Sequence, residues 1–167
     1  VLANRGANGI DGVVATALGA ACTLYPQPAW LLIGDLALLH DSTALLNCRH
    51  RRARLRMVVV DNRGGGIFSF LPQAAVVAPD RFEQLFGTAQ EVSIEQVLAA
   101  HGIETITVRS SAVLSDALDV LGTTDGPVAA LVVHTADRNT NTAVHEELHA
   151  RVRRRLDASG DRPAVPI

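Results

Sequence analysis

Four short runs rich in β-branched and aliphatic residues, Ala29–Ile33, Leu55–Val60, Glu104–Val108 and Val128–His134, alternate along the chain with segments whose apolar residues recur at helical spacing. That alternation predicts an α/β fold: a three-layer, doubly wound, mostly parallel sheet with helices on both faces. The runs lack strict in-out alternation, as expected of strands covered on both sides. Helices are expected over Ile10–Ala21, Asp41–Arg49, Ser93–His101, Ser111–Leu121 and Ala143–Leu156, with Thr142 capping the last. The stretch Arg63–Gln90 is the least periodic and holds Gly64-Gly65-Gly66, Pro72 and Pro79, so it reads as a long loop with room for one helical turn. Long loops in compact α/β domains are usually functional.

With 167 residues, 48% apolar and 19% charged, the chain is expected to form one soluble domain over residues 1–157, followed by a frayed tail at 158–167. A formal charge of −2 supplies no general field for nucleic acid or an anionic membrane, and neither is expected as a partner. All 15 basic residues are arginines, which excludes a lysine Schiff base, a Walker-type phosphate loop and a lysine general base. Cys22 and Cys48 lack the CxxC spacing of a redox or zinc site, in keeping with a reduced, cytoplasmic setting. The longest apolar stretch, around Val13–Cys22, falls short of the ~20 residues a membrane helix needs, and the start of the chain does not read as a signal peptide. Val1-Leu2-Ala3 reads like the end of a strand, so the chain is expected to be a piece of something longer.

Ligands of doubly wound sheets bind outside the carboxyl ends of the strands. Three segments fall there: Asn4–Gly12, Gly34–Leu36 and Asp61–Gly66. After Gly34, expected to turn the chain tightly, Asp35 is expected to be exposed at the sheet edge, and Asn62 ends the next strand in the same manner. A hard divalent cation such as Mg²⁺ takes an octahedron of oxygens. The Asp35 carboxylate, the Asn62 amide oxygen and the Gly64 carbonyl would supply half of that shell, leaving the rest to water and a diphosphate. Asn4–Gly12 is expected to open a helix with small residues, whose free N–H groups stabilise phosphate.

The run Gly34-Asp35-Leu36, then twenty-four residues (Ala37 to Val60), then Asp61-Asn62, resembles the metal-diphosphate motif of thiamine-diphosphate enzymes, usually written GDG…NN. Leu36 stands where glycine is usual, and Asp61 where the first asparagine is usual. Together NRGANGIDG, GDLALLHDSTALL, VVVDNRGGGIFSFLPQ and the terminal NTAVHEELHARV resemble the C-terminal cofactor domain of the 2-succinyl-5-enolpyruvyl-6-hydroxy-3-cyclohexene-1-carboxylate synthase family of menaquinone biosynthesis, over nearly the whole chain.

The resemblance implies the thiamine-diphosphate-binding fold and a transferase that decarboxylates 2-oxoglutarate and adds the succinyl unit to isochorismate. The implied cofactors are thiamine diphosphate, which carries the electron-sink chemistry, and Mg²⁺ or Mn²⁺. By matching positions Asp35, Asn62 and the Gly64 carbonyl hold the metal, while Asn8, Gly9, Ile10, Gly34, Leu36, Gly65 and Ile67 join them around the cofactor. Ile10 matches the bulky residue that props the cofactor in its bent form. Arg5 resembles an arginine that binds a substrate carboxylate, and Ile67, Phe68 and Leu71 match an apolar wall beside the substrate. Arg63 departs from the asparagine or aspartate more usual there. No catalytic residue is expected in this chain: the activating glutamate comes from a separate pyrimidine-binding domain across a subunit interface. The resemblance therefore implies a homodimer or homotetramer, and a fragment inactive by itself. The other readings are the same domain of an acetolactate-synthase relative, and a non-catalytic α/β ligand-binding module.

Two other patterns have simpler readings. His145-Glu146-Glu147-Leu148-His149 satisfies the zinc-protease pattern HExxH, but no histidine or glutamate follows to serve as third ligand. It is expected to be the polar face of an exposed helix. The arginine-rich segment Arg49–Arg56 has no interleaved aromatic and is expected to be a solvated connection or a subunit contact.

Overall fold

The computed structural model describes residues 1–4, 7–46 and 48–159. Four parallel strands, β1 (Ala29–Gly34), β2 (Leu55–Asp61), β3 (Glu104–Val108) and β4 (Val128–His134), form one sheet in the order β1-β2-β4-β3. Among the described residues the α-helical segments are α1 (Val13–Leu24), α2 (Asp35–His40), α3 (Gln73–Val76), α4 (Pro79–Phe82), α5 (Ile94–Ala100), α6 (Leu114–Thr123) and α7 (Arg138–Ser159).

Alternate strand residues sort into two cores. On one face Ile33, Leu55, Met57, Val59, Ala130 and Val132 pack against Val14 and Leu18 of α1, Leu38 of α2 and Leu98 of α5. On the other, Ala129, Leu131 and Val108 pack against Ala117 and Leu121 of α6. This second layer covers β1 only in part: the Trp30 ring lies against Gly122 of α6, yet Trp30 and Leu32 remain 50% and 74% exposed. Hence β1 alternates buried and open positions, whereas β4 holds five buried residues in succession.

Several boundaries differ from the sequence expectations, for local reasons. Helix α1 begins at Val13, because Gly12 adopts φ 65, a left-handed conformation that ends the preceding turn. Asp41–Arg49 is not a helix. The helix precedes it, as α2, and two 3-10 turns, Ser42–Leu45 and Cys48–His50, follow. Gly34 does not turn the chain: at φ −84 and ψ 162 it is extended, and the helix starts at once with Asp35. The expected long loop is mostly short helical turns: a 3-10 turn at Gly66–Phe70, α3, α4 and a π turn at Glu83–Gly87.

The last helix starts five residues early. Asp137, not Thr142, caps it, its Oδ1 accepting the Asn139 and Thr140 amides at 3.0 Å each. Helix α7 also runs two residues into the expected tail, and the remainder of that tail lies outside the described residues.

The arginine-rich segment is not wholly solvated. Arg56 is fully buried in β2 and donates to the Leu55, Thr124 and Gly126 carbonyls, which ties the end of α6 to the sheet.

Candidate functional site

The parallel register sets Gly34 beside Val60, so the residues that follow β1 and β2 leave the sheet side by side. Asp35 is the first residue of α2, and the burial of Leu38 in the core holds that helix in place. Asp35 is only 6% exposed, contrary to the exposed edge position expected. Its Oδ2 accepts the Gly64 N–H at 2.7 Å. The orientation of the Asn62 amide that satisfies its neighbours donates to the Gly64 carbonyl at 2.8 Å and to Asp35 Oδ1 at 3.2 Å. A carboxylate, a backbone carbonyl and an amide from the two segments that follow β1 and β2 thus meet within hydrogen-bonding distance.

Burial pushes the Asp35 carboxyl above the usual carboxylate range, the backbone N–H groups of Gly64 and Leu36 offset part of that rise, and the charge of Asp61 adds to it. A nearby cation would act in the opposite sense. The donor set is hard and all-oxygen once the Asn62 amide turns over, the chemistry that Mg²⁺ or Mn²⁺ selects.

The glycine run fits this crowding. Gly64 lies at φ 117, a β-carbon at Gly65 would collide with the Phe86 carbonyl, and one at Gly66 would collide with the Asn62 amide. Beyond them Ile67 is 73% exposed and Phe68 37%, with Leu71 similarly open, an apolar lip next to the cluster. Phe68 leans on Phe86, their ring centroids 5.7 Å apart.

The turn before α1 holds Asn8 at φ 52 with Asp11 N–H donating to its carbonyl at 2.9 Å; Gly9 and a partly exposed Ile10 lie in the same turn. The first turn of α1 is not an open phosphate cradle. Asp41 Oδ2 accepts the Ala15 N–H at 2.8 Å, so a carboxylate already caps the helix. Arg5, expected to bind a substrate carboxylate, lies outside the described residues.

A second polar group lies behind the cluster, and the sequence reading missed it. His134, paired in register with Asp61, contacts Asp61 Oδ2 through Nδ1 at 3.0 Å and Glu95 Oε1 through Nε2 at 2.7 Å. Partial burial would raise the Glu95 carboxyl, but hydrogen bonds from His134, its own backbone and Ser93 outweigh it and hold the group at about 2. The available signal was positional: His134 closes its predicted strand, and Asp61 directly follows the neighbouring one. Asp61 and His134 border an open cavity of about 840 Å³ near the start of α7, which Arg63, Arg109 and Arg138 also line.

The HExxH pattern lies on α7. His145 packs edge-on against Phe70, with ring centroids 5.2 Å apart, and among the described residues no group of three or more His, Cys, Asp or Glu side chains is arranged to hold a metal. No helix among them is long and apolar enough to cross a membrane.

The chain is an α/β domain whose parallel sheet gathers an aspartate, an asparagine amide and a glycine-loop carbonyl at its carboxyl edge. The chain belongs to the family described as thiamine pyrophosphate enzyme, C-terminal TPP binding domain, which matches residues 2–132. It is 42% identical over 158 residues to 2-succinyl-5-enolpyruvyl-6-hydroxy-3-cyclohexene-1-carboxylate synthase of Listeria monocytogenes, covering 95% of this chain and 26% of that protein. The protein of the same name from Myxococcus xanthus is 45% identical over 152 residues, covering 91% of this chain and 25% of that protein. The chain therefore spans about a quarter of the length of these relatives. A solved structure from Mycobacterium smegmatis, provisionally described as a thiamin diphosphate-dependent enzyme, shares the fold at a TM-score of 0.53 and 21% identity, over 77% of this chain and 22% of that one.

Proposed function

We propose that this chain is the metal- and diphosphate-anchoring domain of a thiamine-diphosphate-dependent 2-succinyl-5-enolpyruvyl-6-hydroxy-3-cyclohexene-1-carboxylate synthase. The observation that carries the reading is the convergence of Asp35 Oδ1, the Gly64 carbonyl and the Asn62 amide. Asp35 and Asn62, with the Gly64 carbonyl, would hold Mg²⁺ or Mn²⁺. When bound, thiamine diphosphate supplies the electron sink for decarboxylating 2-oxoglutarate and transferring its succinyl unit to isochorismate.

The chain's own residues contribute position and environment. Asp35, buried and held by the Gly64 N–H, presents a carboxylate whose charge is costly until a cation faces it. Gly65 and Gly66 keep the loop thin enough for the Asn62 amide to remain at the cluster. Ile67, Phe68 and Leu71 form an apolar lip that would exclude water from one side of the reacting groups. Asn8, Gly9, Ile10, Gly34 and Leu36 line the approach, and Arg5 would pair with a substrate carboxylate. A pyrimidine-binding domain supplying the activating glutamate completes the site, within a cytoplasmic homodimer or homotetramer, and this chain by itself is inactive.

Calorimetric titration of the chain with thiamine diphosphate and Mg²⁺ tests the reading. Saturable binding in the wild type that disappears in Asp35→Ala is expected. Equal binding by the variant overturns the metal assignment.

A further inference from the structure

The polar group behind the glycine loop is chained to it. Asp61 uses its two carboxylate oxygens in different directions: Oδ2 meets His134 Nδ1 at 3.0 Å, and Oδ1 accepts the Arg63 N–H at 3.0 Å. That second bond fastens Arg63 at φ 57, a conformation few non-glycine residues adopt. Gly64 follows, its N–H on Asp35 and its carbonyl facing the Asn62 amide.

On the far side, His134 is held by Glu95 of α5, and Glu95 is fixed in turn by Ser93 Oγ at 2.8 Å and Thr107 Oγ1 at 3.4 Å. The His134 side chain is 16% exposed and that of Asp61 13%, so neither exchanges these partners freely for water. Among the described residues this hydrogen-bonded path joins α5, β4 and β2 to the loop that bears Gly64.

We infer that His134 is a positioning residue of the metal-diphosphate site, locking the Asp61 carboxylate so that Arg63 stays left-handed and the Gly64 carbonyl points at the Asp35–Asn62 cluster. This rests on the cofactor reading above and names a residue outside the ligand set. His134 acts at two removes: it touches Asp61, Asp61 holds the Arg63 amide, and the loop carries the oxygen. A residue of this kind sets how well the site is formed before the cation arrives, so its loss lowers affinity more than it disturbs the sheet.

The test uses Mn²⁺ titration in the presence of thiamine diphosphate together with amide hydrogen exchange. His134→Leu is expected to weaken Mn²⁺ binding by about tenfold or more and to speed exchange at Arg63 and Gly64, leaving Val58 and Val59 in β2 protected. His134→Asn, whose side-chain N–H₂ reaches Asp61 as the ring Nδ1 does, is expected to restore most of the affinity. A purely structural role predicts instead that exchange rises throughout β2 and that asparagine rescues nothing.

Wild-type affinity in His134→Leu with unchanged Arg63 exchange overturns the inference, as does that structural pattern. If wild-type protein binds no Mn²⁺, the cofactor reading fails, while the exchange measurement still decides whether His134 holds the loop. Should His134→Leu not fold, Glu95→Ala removes the outer anchor alone. Faster exchange at Arg63 is then expected, and an unchanged rate sinks the proposal.

Discussion

Asp35 carries opposing demands. Burial makes its charge unfavourable in the cation-free chain, and the same position makes it the strongest available partner for a cation. A carboxyl whose folded pKa is raised contributes stability at low pH and loses it as pH rises through that value. Asp35→Asn removes the charge and keeps an oxygen for the Gly64 N–H. Differential scanning calorimetry without cation should therefore give a Tm equal to or above wild type, and titration of the same variant should show Mg²⁺ binding abolished. A lower Tm would mean that the charge stabilises the fold. Arg56 is a second buried charge, a guanidinium that donates to the Leu55, Thr124 and Gly126 carbonyls. Arg56→Ala leaves them unpaired beside a cavity and should cost roughly 2–4 kcal/mol in urea unfolding.

At the scale of elements, the site depends on where helices begin. The Asp41 carboxylate from the end of α2, the helix that Asp35 begins, caps α1 through the Ala15 N–H. Asp41→Ala should lower stability by about 1 kcal/mol, read from denaturant midpoints, and no change would show the cap to be idle. The sequence carried the strands well because their apolar runs are continuous and β-branched. It carried the start of α2 poorly. Only Gly34 and Asp35 separate the apolar residues of β1 from those of α2, so the change of backbone at Gly34 marks the boundary. The turns within Gly66–Gly87 are four or five residues each, too short for periodicity to register.

For the whole molecule, the cluster was legible through motif and spacing, whereas its burial was not. Asp35 looks like a surface turn residue until the glycine loop folds over it from 29 positions away. The Glu95–His134–Asp61 path was hidden for the same reason, since it joins α5, β4 and β2 through contacts that only the register creates. That path also predicts how acid acts on the fold. Glu95 titrates at about 2 when folded and near 4.5 when unfolded, so its contribution is complete above the higher value and is lost as pH falls toward the lower. Glu95→Gln should flatten the acid limb of the stability curve over that window, and an unchanged limb would assign acid sensitivity elsewhere. On the side of β1 that α6 covers only in part, Trp30 and Leu32 stay open.

The most direct measurement is paramagnetic broadening of backbone amide signals by Mn²⁺ in the presence of thiamine diphosphate. The geometry predicts that Asp35, Leu36, Asn62 and Gly64 to Gly66 broaden first, and that His145 and His149 on α7 stay sharp. Broadening centred on α7 or on the Asp11–Asp41 region, with sharp signals at Asp35 and Asn62, would contradict the account.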